Sequence, residues 1–189
     1  MLKSDSREAN LTDISPYTDV EYDKWYKTAV ATMSKLGILK GIGNDRFSPD
    51  TPITRAEFAA ICARFDDTEI ESTKNFTDIA GHWAEAEIRE AAARGWIKGY
   101  DDNTFRPNNP ITRAEAMVLI NRVLHRVPKT VEDLLANTMI TWPDNNDKSK
   151  WYYIAVQEAT NSHKYERMTE IYEKWTMLIA NVDWAKYEK

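Results

Sequence analysis

The chain has 189 residues, of which 42% are hydrophobic and 29% are charged, and its formal net charge at pH 7 is −5. This length suits one compact domain or a few coupled small units. No apolar run is long enough to span a membrane, and no Lys/Arg-rich stripe is present to neutralise phosphates, so we expect neither membrane insertion nor nucleic-acid binding.

In chain order, the sequence divides into a linker, two similar units and a third, altered unit. The first residues lack the apolar stretch of a signal peptide, so we expect either a cytosolic chain or a mature fragment whose export signal has been removed. A short helix is predicted after Thr130. The predicted segments are a linker at 1–16, unit one at 17–66, an acidic linker at 67–75, unit two at 76–126, a linker at 127–141, and unit three with a C-terminal helix at 142–189.

Units one and two carry the same pattern, 58 residues apart. The hexapeptide Pro-Ile-Thr-Arg-Ala-Glu occupies residues 52–57 and again residues 110–115. A repeat of this length is typical of small units that bury their apolar faces against one another, rather than of one irregular enzyme core. The same offset relates five further pairs: Trp25 and Trp83, Gly37 and Gly95, Gly41 and Gly99, Phe47 and Phe105, and Pro49 and Pro107.

Each full unit is predicted to be a helix, a loop and a second helix. In unit one, an apolar stripe starts at Trp25 and follows helical spacing up to Gly37, a residue that tolerates the positive φ of a helix end. The following loop is rich in turn formers, and its Phe47, like Phe105 of unit two, is expected to plug the core. The single cysteine, Cys62, lies on the apolar stripe of the second helix and is expected to be buried without a disulfide.

The second helix of each full unit begins with a capping box, in which a hydroxyl and a carboxylate bond to backbone amides. The arginine inside this motif, Arg55 or Arg113, needs another explanation, because a cation there faces the positive end of the helix dipole. Either it forms a salt bridge to a neighbouring carboxylate such as Asp45 or Asp101, or it presents an anion site together with free helix amides. The capping pairs are Thr54 with Glu57, and Thr112 with Glu115.

Unit three repeats the opening of the other units and then departs from them. Residues 151–156 echo residues 25–30, but no Thr-Arg-Ala-Glu follows. Its aromatic residues are expected in the core, because they follow the helical stripe of unit one. They are Trp142, Trp151, Tyr152, Tyr153 and Trp175.

The order Trp, Gly-x-x-x-Gly, a loop Phe-x-Pro and then Ile-Thr-Arg-Ala-Glu resembles the S-layer homology family of bacterial surface proteins. The resemblance is strong over residues 17–65 and 76–124 and weak from Trp142 onwards. It implies a mainly α fold in which three helix-loop-helix repeats form a pseudo-threefold arrangement with a central three-helix bundle.

The resemblance also implies a function, which is noncovalent anchoring of a secreted surface protein to the cell wall of a Gram-positive-type bacterium. The implied ligand is an anionic, pyruvylated secondary cell-wall polysaccharide bound in grooves between repeats, and self-association in a surface layer is a further expectation. Arg55 and Arg113 would bind the carboxylate, while Gly41 and Gly99 would allow close backbone approach. Further groove residues are expected on the two loops: Lys40, Asn44 and Asp45 in unit one, and Lys98, Asp101 and Asp102 in unit two.

Two other classes of function compete with this one. A glycan hydrolase would need paired carboxylates, but capping already occupies Glu57 and Glu115. The histidines, His82, His125 and His163, are scattered without metal spacing, so no catalysis, metal site or cofactor is expected. Nor is calcium expected at residues 101–103, where no following Gly and Glu complete a calcium loop. The closer alternative is a structural or protein-interaction module of the surface layer, or a direct peptidoglycan tether, with the arginines in internal salt bridges.

Overall fold

The computed structural model describes residues 10–65, 70–71 and 75–181, so most of the predicted acidic linker lies outside the described residues. Helices predominate over strands in this part of the chain, as the sequence predicts for a mainly α fold. The α-helices are α1 (Lys27–Lys35), α2 (Arg55–Ala63), α3 (Glu85–Ala93), α4 (Arg113–Val123) and α5 (Tyr153–Thr160). The strands are β1 (Val127–Pro128), β2 (His163–Arg167) and β3 (Tyr172–Leu178), and a short 3-10 helix spans Val131–Asp133, directly after Thr130 as expected.

The predicted capping boxes are present at the starts of α2 and α4. The Thr54 hydroxyl accepts a hydrogen bond from the Glu57 amide at 3.2 Å, and the Glu57 carboxylate accepts one from the Thr54 amide at 2.8 Å. Thr112 and Glu115 form the same pair of bonds, at 3.3 and 2.9 Å. Gly37 follows α1 with a φ of +73°, which confirms its predicted role at a helix end.

The units interlock through their helices. The second helix of unit one, α2, packs against α3 of unit two, and α4 of unit two packs against α5 of unit three. Helices α2 and α4 also contact each other.

Cys62 is buried as expected, and its burial raises the pKa of the thiol to about 12. The shared core is built mainly from small and aliphatic side chains, including Ala56, Ala59, Ile79, Ala84, Ile88, Ala91, Phe105 and Leu119.

The tryptophans that open the units do not follow the prediction. Phe105 plugs the core with 1% of its surface exposed, but Trp25, Trp83 and Trp151 are 67%, 60% and 65% exposed. Each tryptophan stands two residues before the first residue of its helix. The helical period therefore does not set the direction of these side chains, and the expectation that Trp151 lies in the core is wrong.

Within the described residues of unit three, 142–181, no second helix follows α5. Residues 163–178 form an antiparallel β2–β3 hairpin, and β1 pairs in parallel with β3, which gives the strand order β1-β3-β2. The predicted C-terminal helix is therefore absent from this stretch, and residues 182–189 lie outside the described residues. Along β3, Glu173 and Trp175 are buried while Lys174 and Thr176 are exposed, which is the period of two of a strand.

A second core lies beneath this hairpin and contains Leu134, Met139, Tyr153 and Trp175. Tyr153 and Trp175 thus lie in the core as expected, whereas Trp142 is 37% exposed and donates a hydrogen bond to the Thr160 hydroxyl. Among the described helices, none has the length and apolar character needed to cross a membrane.

Candidate ligand-binding groove at Arg55

Arg55 projects from the first turn of α2 into the loop of unit two. Its Nε donates a hydrogen bond to the Phe105 carbonyl at 2.8 Å, and its Nη1 donates to Glu115 Oε1. The guanidinium carbon lies 4.9 Å from the centre of the Tyr100 ring and 4.6 Å from that of Phe105, within cation–π range. Arg55 therefore joins two units and is 7% exposed.

The backbone amides at the start of α2 also have partners in unit two. The Arg55 amide donates to the Asn109 carbonyl at 2.9 Å, and the Ala56 amide donates to the Pro107 carbonyl at 3.0 Å. These amides are therefore not free to bind an anion. The dipole of α2 is satisfied by carbonyl oxygens of the neighbouring unit.

The carboxylate partner of Arg55 is Glu115, and neither Asp45 nor Asp101 takes that role. Glu115 uses Oε2 to cap α4 and Oε1 to accept hydrogen bonds from Arg55 and from the Tyr100 hydroxyl. Burial opposes ionisation of this carboxyl, but the bonds from Thr112, the Arg55 charge and the Tyr100 hydroxyl outweigh it. The pKa of Glu115 is therefore held below its ordinary value.

A cavity of about 530 Å³ opens beside this pair, and its wall combines cations with aromatic and aliphatic groups. Of the ten predicted site residues, it brings together Arg55, Lys98, Gly99 and Asp101. Arg122, Tyr100, Glu115 and Trp151 also line the cavity. Because three cations face two carboxylates, this groove carries positive charge in a chain whose net charge is negative.

The two predicted glycines have a local reason for lacking a side chain. A Cβ on Gly99 would lie 2.3 Å from Phe76 Cε1 and 2.6 Å from the Thr104 carbonyl oxygen. A Cβ on Gly41 would meet Tyr17 in the same way, at 2.5 Å. Each glycine admits the aromatic ring that opens its own unit, so packing within the unit accounts for it without a ligand.

Asp102 stands apart from the groove. Its carboxylate accepts hydrogen bonds from the Thr104 hydroxyl, from Arg106 and from the Thr104 amide, and these lower the pKa of Asp102 to about 2. The turn is exposed and its polar groups hydrogen-bond to one another, in keeping with a solvated loop.

The corresponding residues of unit one do not line this groove. Lys40, Gly41 and Asp45 lie on the loop before α2, and the Asp45 carbonyl accepts hydrogen bonds from the Thr18 amide and hydroxyl. Arg55 of unit one reaches the loop of unit two. In a cyclic arrangement of three units, the loop of unit one would be reached by an arginine of unit three, but unit three has no Thr-Arg-Ala-Glu motif. Lys40, Asn44 and Asp45 are exposed.

Arg113 also lacks the surroundings that Arg55 has. It is exposed, and within the described part of the chain its guanidinium has neither an ion pair nor a hydrogen-bond partner. The repeat places its partner loop in unit three, where the β2–β3 hairpin stands instead. The two arginines are therefore equivalent in sequence but not in structure.

Several contributors to the groove were not predicted as site residues, and Trp151 and Asp78 are two of them. Trp151 enters its wall from unit three. Asp78 holds the loop of unit two, because its carboxylate accepts hydrogen bonds from the Phe105 and Arg106 amides, each at 2.8 Å. The recurrence of Thr-Asp at residues 18–19 and 77–78 was the available signal, since Asp19 binds the Phe47 and Ser48 amides identically.

Comparison with known proteins gives a family for the two full units. The S-layer homology domain family matches residues 16–59 and 75–117, and unit three lies outside both stretches. The cell surface glycoprotein 1 of Acetivibrio thermocellus is 35% identical over 164 residues, which cover 80% of this chain and 7% of that protein.

Two further relatives are similar over comparable lengths. The cellulosome-anchoring protein of Acetivibrio thermocellus is 32% identical, over 88% of this chain and 37% of its own length. The surface-layer 125 kDa protein of Lysinibacillus sphaericus is 33% identical, over 81% of this chain and 14% of its own length. The chain thus spans between 7% and 37% of these relatives. The matches confirm the resemblance and the predicted location at the cell surface.

Proposed function

Residues 16–59 and 75–117 belong to the S-layer homology domain family, and from this premise we propose that the chain anchors a surface protein noncovalently to the bacterial cell wall. The family is one of non-catalytic anchoring modules, which agrees with the expectation that this chain has no catalytic activity of its own. The proposed ligand is an anionic secondary cell-wall polysaccharide, and a pyruvate ketal is its proposed charged group.

The observation that carries this proposal is the positively charged groove at Arg55. Nε and Nη1 of Arg55 are engaged by Phe105 and Glu115, which leaves Nη2 without a partner among the described residues. Together with the exposed Lys98, it offers two donors for one carboxylate. A charge-assisted hydrogen bond of this kind contributes about 1.5–3 kcal/mol net.

The aromatic wall suits the rest of a sugar ligand. Trp151 is 65% exposed and borders the cavity, so it presents a flat apolar face beside the cations. A pyranose ring has an apolar face of similar size, and its hydroxyls would remain in solvent. An anionic sugar fits this combination better than a free phosphate or a peptide carboxylate does.

We further propose that one complete groove is present in this chain. Its walls come from Arg55 of unit one, the loop and α4 of unit two, and Trp151 of unit three. Arg113 has the same motif as Arg55, but among the described residues no loop of unit three faces it. The loop of unit one, in turn, has no arginine from unit three to contact. In a pseudo-threefold arrangement of three units, this leaves one completed junction, and Arg113 and Lys40 would contribute little to binding.

A structural or interaction module remains the second candidate, and one observation favours it. Arg55 and Glu115 form an internal ion pair with side-chain exposures of 8% and 18%, so Arg55 holds two units together whether or not a ligand binds. On this account the groove would be a by-product of packing. The chain would then serve a surface lattice or contact peptidoglycan directly.

Binding to purified cell-wall sacculi separates the two candidates. We expect the chain to bind sacculi from the bacterium that produces it, and to lose binding when the polysaccharide is chemically removed. Trp151→Ala should weaken binding at least about tenfold, which corresponds to the loss of about 1.4 kcal/mol. The matched control Trp83→Ala removes an equally exposed tryptophan outside the groove and should bind as the wild type does.

The double variant Arg55→Gln/Arg113→Gln should also lose binding. The fall in its melting temperature relative to the wild type measures how much the Arg55 contacts stabilise the fold. Binding that survives both removal of the polysaccharide and the Trp151→Ala change would favour the structural module.

A further inference from the structure

Three side chains of unit three converge in a buried cluster that the groove does not use. Glu158 on α5, His163 at the start of β2 and Glu173 on β3 each present one oxygen or nitrogen, and the three atoms lie within 4.8 Å of one another. All three side chains are 0% exposed. None of them lines the cavity at Arg55.

The hydrogen bond of His163 determines which ring nitrogen is free. Nδ1 lies 2.7 Å from the Asn161 carbonyl oxygen. A carbonyl can only accept, so Nδ1 carries a proton and donates it. In the neutral ring, Nε2 then holds a lone pair directed at the two carboxylates.

The distances around Nε2 are compatible with a metal ion bound by all three side chains. Nε2 is 3.3 Å from Glu158 Oε1 and 3.4 Å from Glu173 Oε1. A charge-assisted N–H···O bond is shorter, about 2.7–2.9 Å. Two ligand atoms on a tetrahedral Zn²⁺, each about 2.0–2.1 Å from the ion, lie about 3.3–3.4 Å apart. Both distances around Nε2 match the spacing of two ligands on one metal ion.

Neighbouring groups fix the orientation of His163 and Glu158, as is usual for the side chains that bind a metal ion. The bond from Nδ1 to a backbone carbonyl orients the ring, as is usual for a metal-bound histidine. The Trp175 indole donates to Glu158 Oε2 at 2.6 Å and stacks on His163 with ring centres 4.2 Å apart. Glu158 Oε1 is buried and forms an ion pair with Arg126 at 2.8 Å that lacks hydrogen-bond geometry, so a lone pair remains for a second cation.

Two arginines border the cluster. Arg126 Nη2 lies 2.8 Å from Glu158 Oε1, and Arg167 Nη2 lies 3.4 Å from Glu173 Oε2. Both are more than one third exposed, so solvent screens their charge more than it screens the buried carboxylates. They offset part of the carboxylate charge and mark the side of the cluster that faces solvent.

We propose that Glu158, His163 and Glu173 bind a divalent transition-metal ion of the zinc type. The ion would join α5 to both strands of the hairpin, and so stabilise the hairpin that follows α5 where units one and two have a loop and a second helix. The site is independent of wall binding at the groove.

The test is a titration of the metal-free full chain with Zn²⁺, followed by calorimetry and by thermal unfolding. We expect one ion per chain and a melting temperature that rises with the Zn²⁺ concentration. His163→Gln should lower the affinity at least about a hundredfold. The matched control His82→Gln removes a histidine of unit two and should leave Zn²⁺ binding unchanged.

A measurement on the wild type covers the case in which His163→Gln fails to fold. The chain has three histidines, so ring nitrogen resonances can be assigned to each. Zn²⁺ should shift the Nε2 resonance of His163 and leave those of His82 and His125 in place. Absence of saturable Zn²⁺ binding, or a His163 Nε2 that keeps its own proton with Zn²⁺ in excess, would overturn the proposal.

Discussion

At the scale of single residues, Arg55 shows how tertiary contacts reverse a local preference. A cation in the first turn of an isolated helix is unfavourable by about 0.3–1 kcal/mol. In this fold the α2 amides are already bound by the carbonyls of Asn109 and Pro107, and the guanidinium itself meets a carbonyl and a carboxylate. The unfavourable position is thereby offset by contacts with the next unit.

The ion pair with Glu115 gives a pH dependence at this scale. The pKa of Glu115 is lower in the folded chain than its ordinary value of about 4.3, so the unfolded chain binds the proton more readily. Its contribution to the free energy of unfolding is therefore complete above about pH 4.3 and is lost as the pH falls through the lowered pKa.

Denaturant unfolding of the wild type and of Glu115→Gln between pH 7 and pH 3 checks this prediction. The variant should be less stable by about 1–3 kcal/mol at pH 7, and the difference should shrink as the pH falls. A difference that stays constant over this range would show that the charge of Glu115 does not matter.

At the scale of elements, the loop of unit two is positioned by Asp78. Its two carboxylate oxygens accept one hydrogen bond each from the Phe105 and Arg106 amides, and the Phe105 carbonyl in turn accepts from Arg55. Asp19 holds the unit-one loop by the same pair of bonds. The two aspartates thus have equal structural roles, but only Asp78 supports the groove.

Substituting each aspartate by asparagine separates stability from binding. An asparagine has one acceptor oxygen instead of two, so either variant should lose one charge-assisted bond and about 1–3 kcal/mol of stability. Asp78→Asn should also lower wall binding severalfold, whereas Asp19→Asn should bind normally at a temperature where both are folded. Equal losses of wall binding in the two variants would contradict a groove confined to unit two and its neighbours.

At the scale of the whole molecule, the features that the sequence could predict are those whose interacting residues lie close together along the chain. The capping boxes at Thr54 and Thr112 and the helix end at Gly37 involve residues within a few positions of each other, and the structure contains them. The contact between Arg55 and Phe105 joins residues 50 positions apart, and no local sequence pattern predicts it.

The misplaced residues have a similar cause. Trp151 was assigned to the core by helical spacing, but it precedes its helix and borders the groove from a neighbouring unit. The predicted C-terminal helix was carried over from the other units, and the sequence of β3 offers no clear strand pattern against it, because one of its two buried residues is the charged Glu173. The resemblance to a repeat family was reliable where the repeat is intact and misleading where unit three departs from it.

The central claim is that one groove, formed by Arg55 of unit one, the loop and α4 of unit two and Trp151 of unit three, binds an anionic wall polymer. Calorimetric titration of the chain with a short fragment of the isolated wall polysaccharide tests it most directly, using Lys98→Gln and its counterpart Lys40→Gln. We predict one binding site per chain, about a tenfold loss of affinity in Lys98→Gln, and unchanged affinity in Lys40→Gln. Two equivalent sites, or equal losses in the two variants, would contradict the account.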